Sequence, residues 1–242
     1  MENLYEKYNY VPDKDAIDRT LGVLATNLES ASSPEVLKAC FSVMDLTTLK
    51  SNDTIPSVAK FTQKVKTYRD MYPEYPLPAS ICVYSNFAAT VKENRCDPSV
   101  HVTVVSACFP TSQSFLEVKL KECEMAIEAG AEEVDIVLAL NSFLAGDYES
   151  ARKEIRSVRE CIDAAAAKEG RKVVLKVIIE TGLLVTPENI ANASFLAMEE
   201  GADFIKTSTG KVDVNATPMA AYVMCESIKA YCRRTGRKGG FK

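Results

Sequence analysis

Five ionisable residues lie inside runs that are otherwise apolar. Asp45 sits in VMDLT, Asp135 in EEVDIVLAL, Lys176 and Glu180 in VVLKVIIE, and Lys206 in ADFIKTSTG. An unpaired charge in an apolar interior is costly, so groups of this kind are kept where they compensate one another. Any one of them could be a rim residue whose charge reaches water. Five together, each near the C-terminal half of its run, fit one shared site better. Lys242, in the terminal GGFK, would bring the cluster to three cations and three anions. His101 is the only histidine, which leaves Ser-His-Asp triads and histidine metal sites without material. Lysine, carboxylate and cysteine chemistry remain. An amine in an apolar pocket beside a second cation has a depressed pKa and is nucleophilic near neutrality. Lys206 with Lys242 would be that pair, able to form a Schiff base with a carbonyl. Asp135 and water could move the protons.

The segment TSTGK at 207–211 adds hydroxyls, a turn at Gly210 and the cation Lys211. That suits a phosphate or a sugar hydroxyl, although the same residues also make an ordinary polar loop. It is not a nucleotide P-loop, because the glycine spacing is wrong and Val212 follows the lysine.

The elements that must position these groups alternate. Val- and Ile-rich runs at 40–47, 79–85, 101–107, 132–140, 173–180 and 202–208 read as strands buried on both faces. Helical periods cover about 54–70, 112–129, 148–168, 187–200 and 217–234, with a shorter one near 86–94. In the second, Phe115, Val118, Ala126 and Ile127 form the expected apolar stripe, with Gly130 as its cap. Thr186-Pro187 and Thr217-Pro218 read as helix starts. An extra N-terminal helix carries Ile17, Leu21, Leu24 and Leu28, capped by Asp13. No strand is followed by a G-x-G-x-x-G turn, which disfavours a doubly wound nucleotide fold. The expectation is one α/β domain over 1–242, a TIM (β/α)8-type barrel with 1–34 as an N-terminal extension and helix.

At 47% hydrophobic and 26% charged residues, the 242-residue chain has the balance of a globular protein. A net charge of −4 and a pI near 5.3 argue against nucleic acid as a partner. No apolar run nears the ~18 residues of a membrane span, and MENLYEKYNY is too polar for a secretory signal. The eight cysteines contain no C-x-x-C pair and read as free thiols of a reducing cytoplasm. RRTGRK at 233–238 reads as a solvated helix end.

The segments MDLTTLKSNDT at 44–54, SICVYSNF at 80–87, FP at 109–110, GAEEVDIVLA at 130–139, VVLKVIIETGLL at 173–184 and GADFIKTSTGKVDVNATP at 201–218 resemble the deoxyribose-phosphate aldolase family, from about residue 35 onward. The resemblance implies a class I aldolase on a TIM barrel. It would cleave 2-deoxyribose 5-phosphate reversibly to acetaldehyde and glyceraldehyde 3-phosphate, without metal or organic cofactor. It makes Lys206 the Schiff-base nucleophile and Asp135 the proton relay. Lys242 perturbs Lys206 and shares in that relay. Asp45, Thr47, Cys82, Lys176 and Thr209 would line the substrate pocket, and Gly210 and Lys211 would approach the phosphate. The partner is a small phosphorylated sugar, with a homo-oligomer open.

The resemblance departs at the C-terminus. After GFK the family continues into a further strand and helix that hold much of the phosphate site, and the eighth βα unit is absent here. Seven strands leave a sheet with two edges. The expectation is that the protein continues past Lys242. The alternative is a divergent aldolase-fold protein, weakly active or inactive, that binds another protein.

Overall fold

The computed structural model describes residues 3–29 and 31–242. Seven strands form one sheet in chain order: β1 (Asp45–Thr47), β2 (Ser80–Tyr84), β3 (His101–Val105), β4 (Glu133–Val137), β5 (Val174–Ile178), β6 (Phe204–Lys206) and β7 (Gly240–Phe241). Every adjacent pair is parallel. Among the described residues three helices precede the sheet: α1 (Leu4–Lys7), α2 (Lys14–Thr26) and α3 (Pro34–Ser42). The crossovers carry α4 (Ile55–Met71), α5 (Ala88–Asn94), α6 (Leu116–Glu128), α7 (Leu140–Leu144) and α8 (Tyr148–Lys168). They continue with α9 (Thr181–Leu184), α10 (Pro187–Glu199) and α11 (Pro218–Thr235).

The sheet is curled. Lys242, just beyond β7, places its ammonium on the Val43 carbonyl at 2.5 Å and on Asp45 of β1 at 2.7 Å. Two edge strands at opposite ends of a seven-stranded order can meet only if the sheet bends into a half-barrel. Among the described residues no ladder joins β1 to β7.

Side chains alternate along each strand, and the two parities divide the chemistry. One parity lies under the helices: Ile81, Val83, Val102, Val104, Val134, Ile136, Leu175, Val177 and Ile205 are all buried. Each contributes about 1.5–3 kcal/mol of apolar burial. The other parity turns inward and carries Asp45, Ser80, Cys82, Thr103, Glu133, Asp135, Lys176 and Lys206. The strands are therefore not apolar on both faces, as their composition suggests. Gly240 belongs to this inner layer, where a Cβ would come 2.2 Å from the Phe204 ring.

The helix starts follow their caps. Thr54, Thr186 and Thr217 each accept from the backbone three residues on, each with proline in the first turn. Asp13 caps α2 in the same way.

Several expectations are corrected. Residues 40–42 are not strand: Ser33 and Pro34 start α3, which runs to Ser42. The stripe drawn along α6 is displaced. Phe115 is its N-cap residue and 79% exposed, Val118 is also exposed, and the inward face is Lys119, Cys123, Ala126 and Ile127. On α2 only Ile17 is buried; Leu24 faces solvent, and Leu28 lies exposed beyond the helix, which ends at Thr26. Helix α1 was not foreseen. Just beyond it, the Tyr8 ring stacks on Phe195 of α10 at 4.4 Å, and its hydroxyl donates to Glu199 at 2.6 Å. All eight cysteines are free.

Candidate active site

The register places the charged residues side by side. Asp135 of β4 pairs with Lys176 of β5, Ile178 pairs with Lys206 of β6, and Thr47 of β1 pairs with Cys82 of β2. Inward alternation then gathers Asp45, Glu133, Asp135, Lys176 and Lys206 into one polar layer, with Lys242 closing it from the opposite edge.

Lys176 is the hub of the deeper part. Its ammonium contacts Glu133, lies 3.1 Å from Asp135 Oδ1 and 3.5 Å from Asp45 Oδ2. Ser80 donates to Asp45 at 2.7 Å, and Thr103 sits 2.8 Å from Ser80 and 3.1 Å from Glu133. His101, at the solvent end of β3, contacts Glu133 at 2.7 Å. Burial opposes the charge of Lys176, but the three carboxylates outweigh it and hold its pKa well above the ordinary lysine value. Burial likewise opposes ionisation of Asp45 and Glu133. Lys176 leads the groups that nevertheless hold both below the usual carboxylate range, helped by Lys242 and Ser80 at Asp45 and by His101 at Glu133.

Lys206 occupies the upper part. Its Nζ donates to Asp135 Oδ2 at 2.5 Å and lies 3.8 Å from Asp45. The Asp135 side chain has no exposure, while that of Lys206 is 18% exposed. The resting state of this amine differs from the expected one. Burial pushes its pKa down, but Asp135 leads the groups that push it up, and the net direction is up. Lys176 is a cation that pulls it down. The resting pair is thus an ammonium on a carboxylate, one proton transfer away from a free amine. Cys82, beside them, is fully buried, and burial pushes its thiol up to about 12.

Above Lys206 lies a cavity of about 260 Å³, walled by Thr47, Cys82, Phe109, Lys206, Thr209 and Gly210 among others. A second opening of about 620 Å³, between the β1 and β7 edges, is lined by Asp45, Lys176, Lys206 and Lys242. Of the expected phosphate residues, Gly210 borders the first cavity at φ +74° with open space where a Cβ would be. Lys211 puts its ammonium on the Leu49 carbonyl at 2.6 Å.

Two carboxylates change places relative to the sequence reading. Glu180 is not in the charged layer. It has left the strand at φ +53°, and its carboxylate accepts from the Thr209 backbone at 3.1 Å and the Thr209 hydroxyl at 2.5 Å. It fixes the TSTGK loop instead. Gly182 allows the same fixing, since a Cβ there would stand 1.9 Å from the Val214 carbonyl oxygen. The third anion is Glu133, hidden in the EEVD run. Its parity with Asp135 was the available signal. Ser80, Thr103 and Phe109 are the other site residues not singled out. Among the described residues no group of three His, Cys, Asp or Glu is placed to hold a metal, and no helix is long and apolar enough to cross a membrane.

A curled parallel α/β sheet with its ionisable groups on the inner face defines a half-barrel of the TIM type. The sequence profile of the DeoC/LacD family aldolases matches residues 40–233, and the chain belongs to that family. A Caenorhabditis elegans protein provisionally named deoxyribose-phosphate aldolase is 32% identical over 95% of this chain and 74% of its own length. The human deoxyribose-phosphate aldolase is 36% identical over 82% of this chain, which spans 63% of the human length. A crystal structure from Coccidioides immitis, provisionally of the same enzyme, superposes with a TM-score of 0.71 at 24% identity, covering 84% of this chain and 72% of that one.

Proposed function

We propose that this protein is a class I aldolase that cleaves 2-deoxyribose 5-phosphate reversibly to acetaldehyde and glyceraldehyde 3-phosphate. The observation that carries the reading is the Lys206–Asp135 pair. A lysine amine opens onto a cavity, 2.5 Å from a carboxylate with no solvent exposure of its own.

In this reading Lys206 first passes its proton to Asp135 and becomes a free amine. It attacks the aldehyde carbon of the open-chain sugar. The carbinolamine loses water, protonated by the acid form of Asp135, and leaves an iminium. A base removes the proton of the C3 hydroxyl, the C2–C3 bond breaks, and its electron pair moves into the iminium to give an enamine. Glyceraldehyde 3-phosphate departs. Protonation of the enamine carbon and hydrolysis of the imine release acetaldehyde and restore the amine. Lys176 and Lys242 keep Asp45 ionised beside these steps, so the pocket holds its charge balance as the proton moves. Thr47 borders the sugar together with Thr209, whose hydroxyl is held by Glu180, and Gly210 faces the phosphate, which Lys211 reaches only by leaving the Leu49 carbonyl.

Reduction with borohydride in the presence of acetaldehyde, followed by peptide mass spectrometry, tests this. One reduced two-carbon adduct is expected on the peptide containing Lys206, and none in Lys206→Ala. An adduct on Lys176 or Lys211 instead overturns the assignment.

A further inference from the structure

The chain between β3 and α6 bends sharply. Ala107, Cys108 and Ser112 have φ of +54°, +61° and +56°. None is glycine, and a Cβ disfavours the left-handed region, so the surroundings must hold this loop in place. Its middle residue, Phe109, is a wall of the cavity above Lys206 and meets the Tyr84 ring edge-on at 6.2 Å.

One end of the loop is tied by Glu122 of α6. It accepts from the Cys108 backbone and from the Ser85 hydroxyl, each at 2.9 Å. The other end is tied more deeply. The buried Ser112 hydroxyl donates to Glu154 of α8 at 2.8 Å. Lys119 of α6 donates to that hydroxyl at 3.0 Å and to Glu154 at 2.7 Å. Lys119 is 1% exposed, as buried as the aliphatic core. A buried ion pair seldom stabilises more than apolar residues of the same size would. Packing α6 on α8 therefore does not account for it. What an apolar pair could not do is grip the hydroxyl of Ser112 from both sides.

We propose that Lys119, Ser112 and Glu154 are positioning residues. They latch the left-handed end of the loop so that Phe109 is held against the cavity at Lys206, where it orients the sugar chain. The proposal rests on the aldol reading of that cavity.

Two variants separate the latch from simple packing. Ser112→Ala removes the hydroxyl and keeps the ion pair. The double variant Lys119→Met/Glu154→Leu removes both charges and refills the seam. Amide hydrogen exchange across residues 107–115 reads the latch without any turnover. Exchange there should speed up by about tenfold or more in both variants while the thermal midpoint of Ser112→Ala holds. The kcat/KM for 2-deoxyribose 5-phosphate should fall about tenfold, while acetaldehyde trapping at Lys206 stays within about twofold. In the Phe109→Ala background, Ser112→Ala should cost little more, because both losses act through one ring.

Unchanged exchange in Ser112→Ala overturns the latch. Faster exchange with unchanged kcat/KM, or losses that add fully to those of Phe109→Ala, overturns its action through Phe109. A double variant that recovers normal kcat/KM shows Lys119 and Glu154 to be packing only. Failure of the unmodified protein to trap acetaldehyde at all would fail the aldol reading, and the exchange result alone would then decide the latch.

Discussion

Lys176 and Lys206 stand on adjacent strands, face the same interior and share Asp135, yet they live in different regions of the pocket. Lys176 lies deep, its side chain 3% exposed, with Glu133, Asp135 and Asp45 around its ammonium. Lys206 lies higher, at the cavity wall, with Asp135 close and Asp45 at 3.8 Å. Both amines have raised pKa values, but the barriers to freeing them differ. Three carboxylates must lose their counter-ion if Lys176 gives up its proton. Lys206 needs only to hand one to Asp135, which keeps Lys176 as a partner. In the proposed aldol reading, residue type and burial alone therefore do not mark the nucleophile; the number of carboxylates per amine and the greater exposure of Lys206 do.

The largest effect should come from breaking the deep region. Lys176→Met leaves Asp45, Glu133 and Asp135 buried without their shared cation. Removing one partner of a buried ionic set costs about 3–5 kcal/mol, and here three anions are exposed to one another as well. The urea midpoint should fall accordingly. Lys206→Met should lower it much less, because Lys176 still neutralises Asp135. Equal losses for the two lysines would erase the distinction between the regions.

Asp135→Asn sharpens the comparison from the other side. Turnover should fall about 10²-fold, the usual scale for lost acid–base help. The direction of the Lys206 shift gives a second readout. Asp135 is the leading group that raises this amine, while burial and Lys176 lower it. Without the carboxylate the largest raising influence is gone, while burial and Lys176 still lower the amine against Cys82, so the pKa of Lys206 should drop. Imine formation needs the free amine and rises with pH through that pKa. In Asp135→Asn the rise should move to lower pH, followed by borohydride trapping across a pH series. A rise that stays in place means that another group holds the proton.

Much of this was legible in the sequence because strands alternate with period two. The ionisable residues in VMDLT, EVDIV, VVLKV and FIK all fall on one parity, and the fold needed only to turn that parity inward. Three features were not legible, each for a physical reason. Glu133 follows Glu132, so one reads as loop charge; parity with Asp135 turns Glu133 inward, but the register is needed to show that it faces Lys176 while Glu132 pairs with Arg95. Glu180 shares the parity of Lys176, but the chain leaves the strand after Ile178, and a left-handed backbone sends its carboxylate to Thr209. Lys119 sits in LEVKLKECEM, where helical period and alternating charge suggest a solvated face. Its burial depends on Glu154, 35 residues away.

The smallest effect expected is at Asp45, the carboxylate that joins the two regions. It takes Ser80 at 2.7 Å, Lys242 at 2.7 Å and Lys176 at 3.5 Å. Its folded pKa lies below the ordinary value because Lys176, Lys242 and Ser80 outweigh burial. The unfolded chain therefore binds a proton at Asp45 at a higher pH than the folded chain does, near about pH 3.9. The stability it contributes is complete above that pH and is lost as pH falls through the lower folded value. Lys176 and Lys206 behave oppositely. Their raised values give stability that is present throughout the acid range and is lost only as pH rises through their folded pKa values. Asp45→Asn should thus lower the stability at neutral pH by about 1.5–3 kcal/mol, the worth of hydrogen bonds to a charged group. The gap between variant and parent urea midpoints should close as the pH is taken below the carboxylate range. A gap that stays constant with pH would mean that Asp45 contributes through packing and neutral hydrogen bonds rather than as the anion shared by the deep and upper lysines.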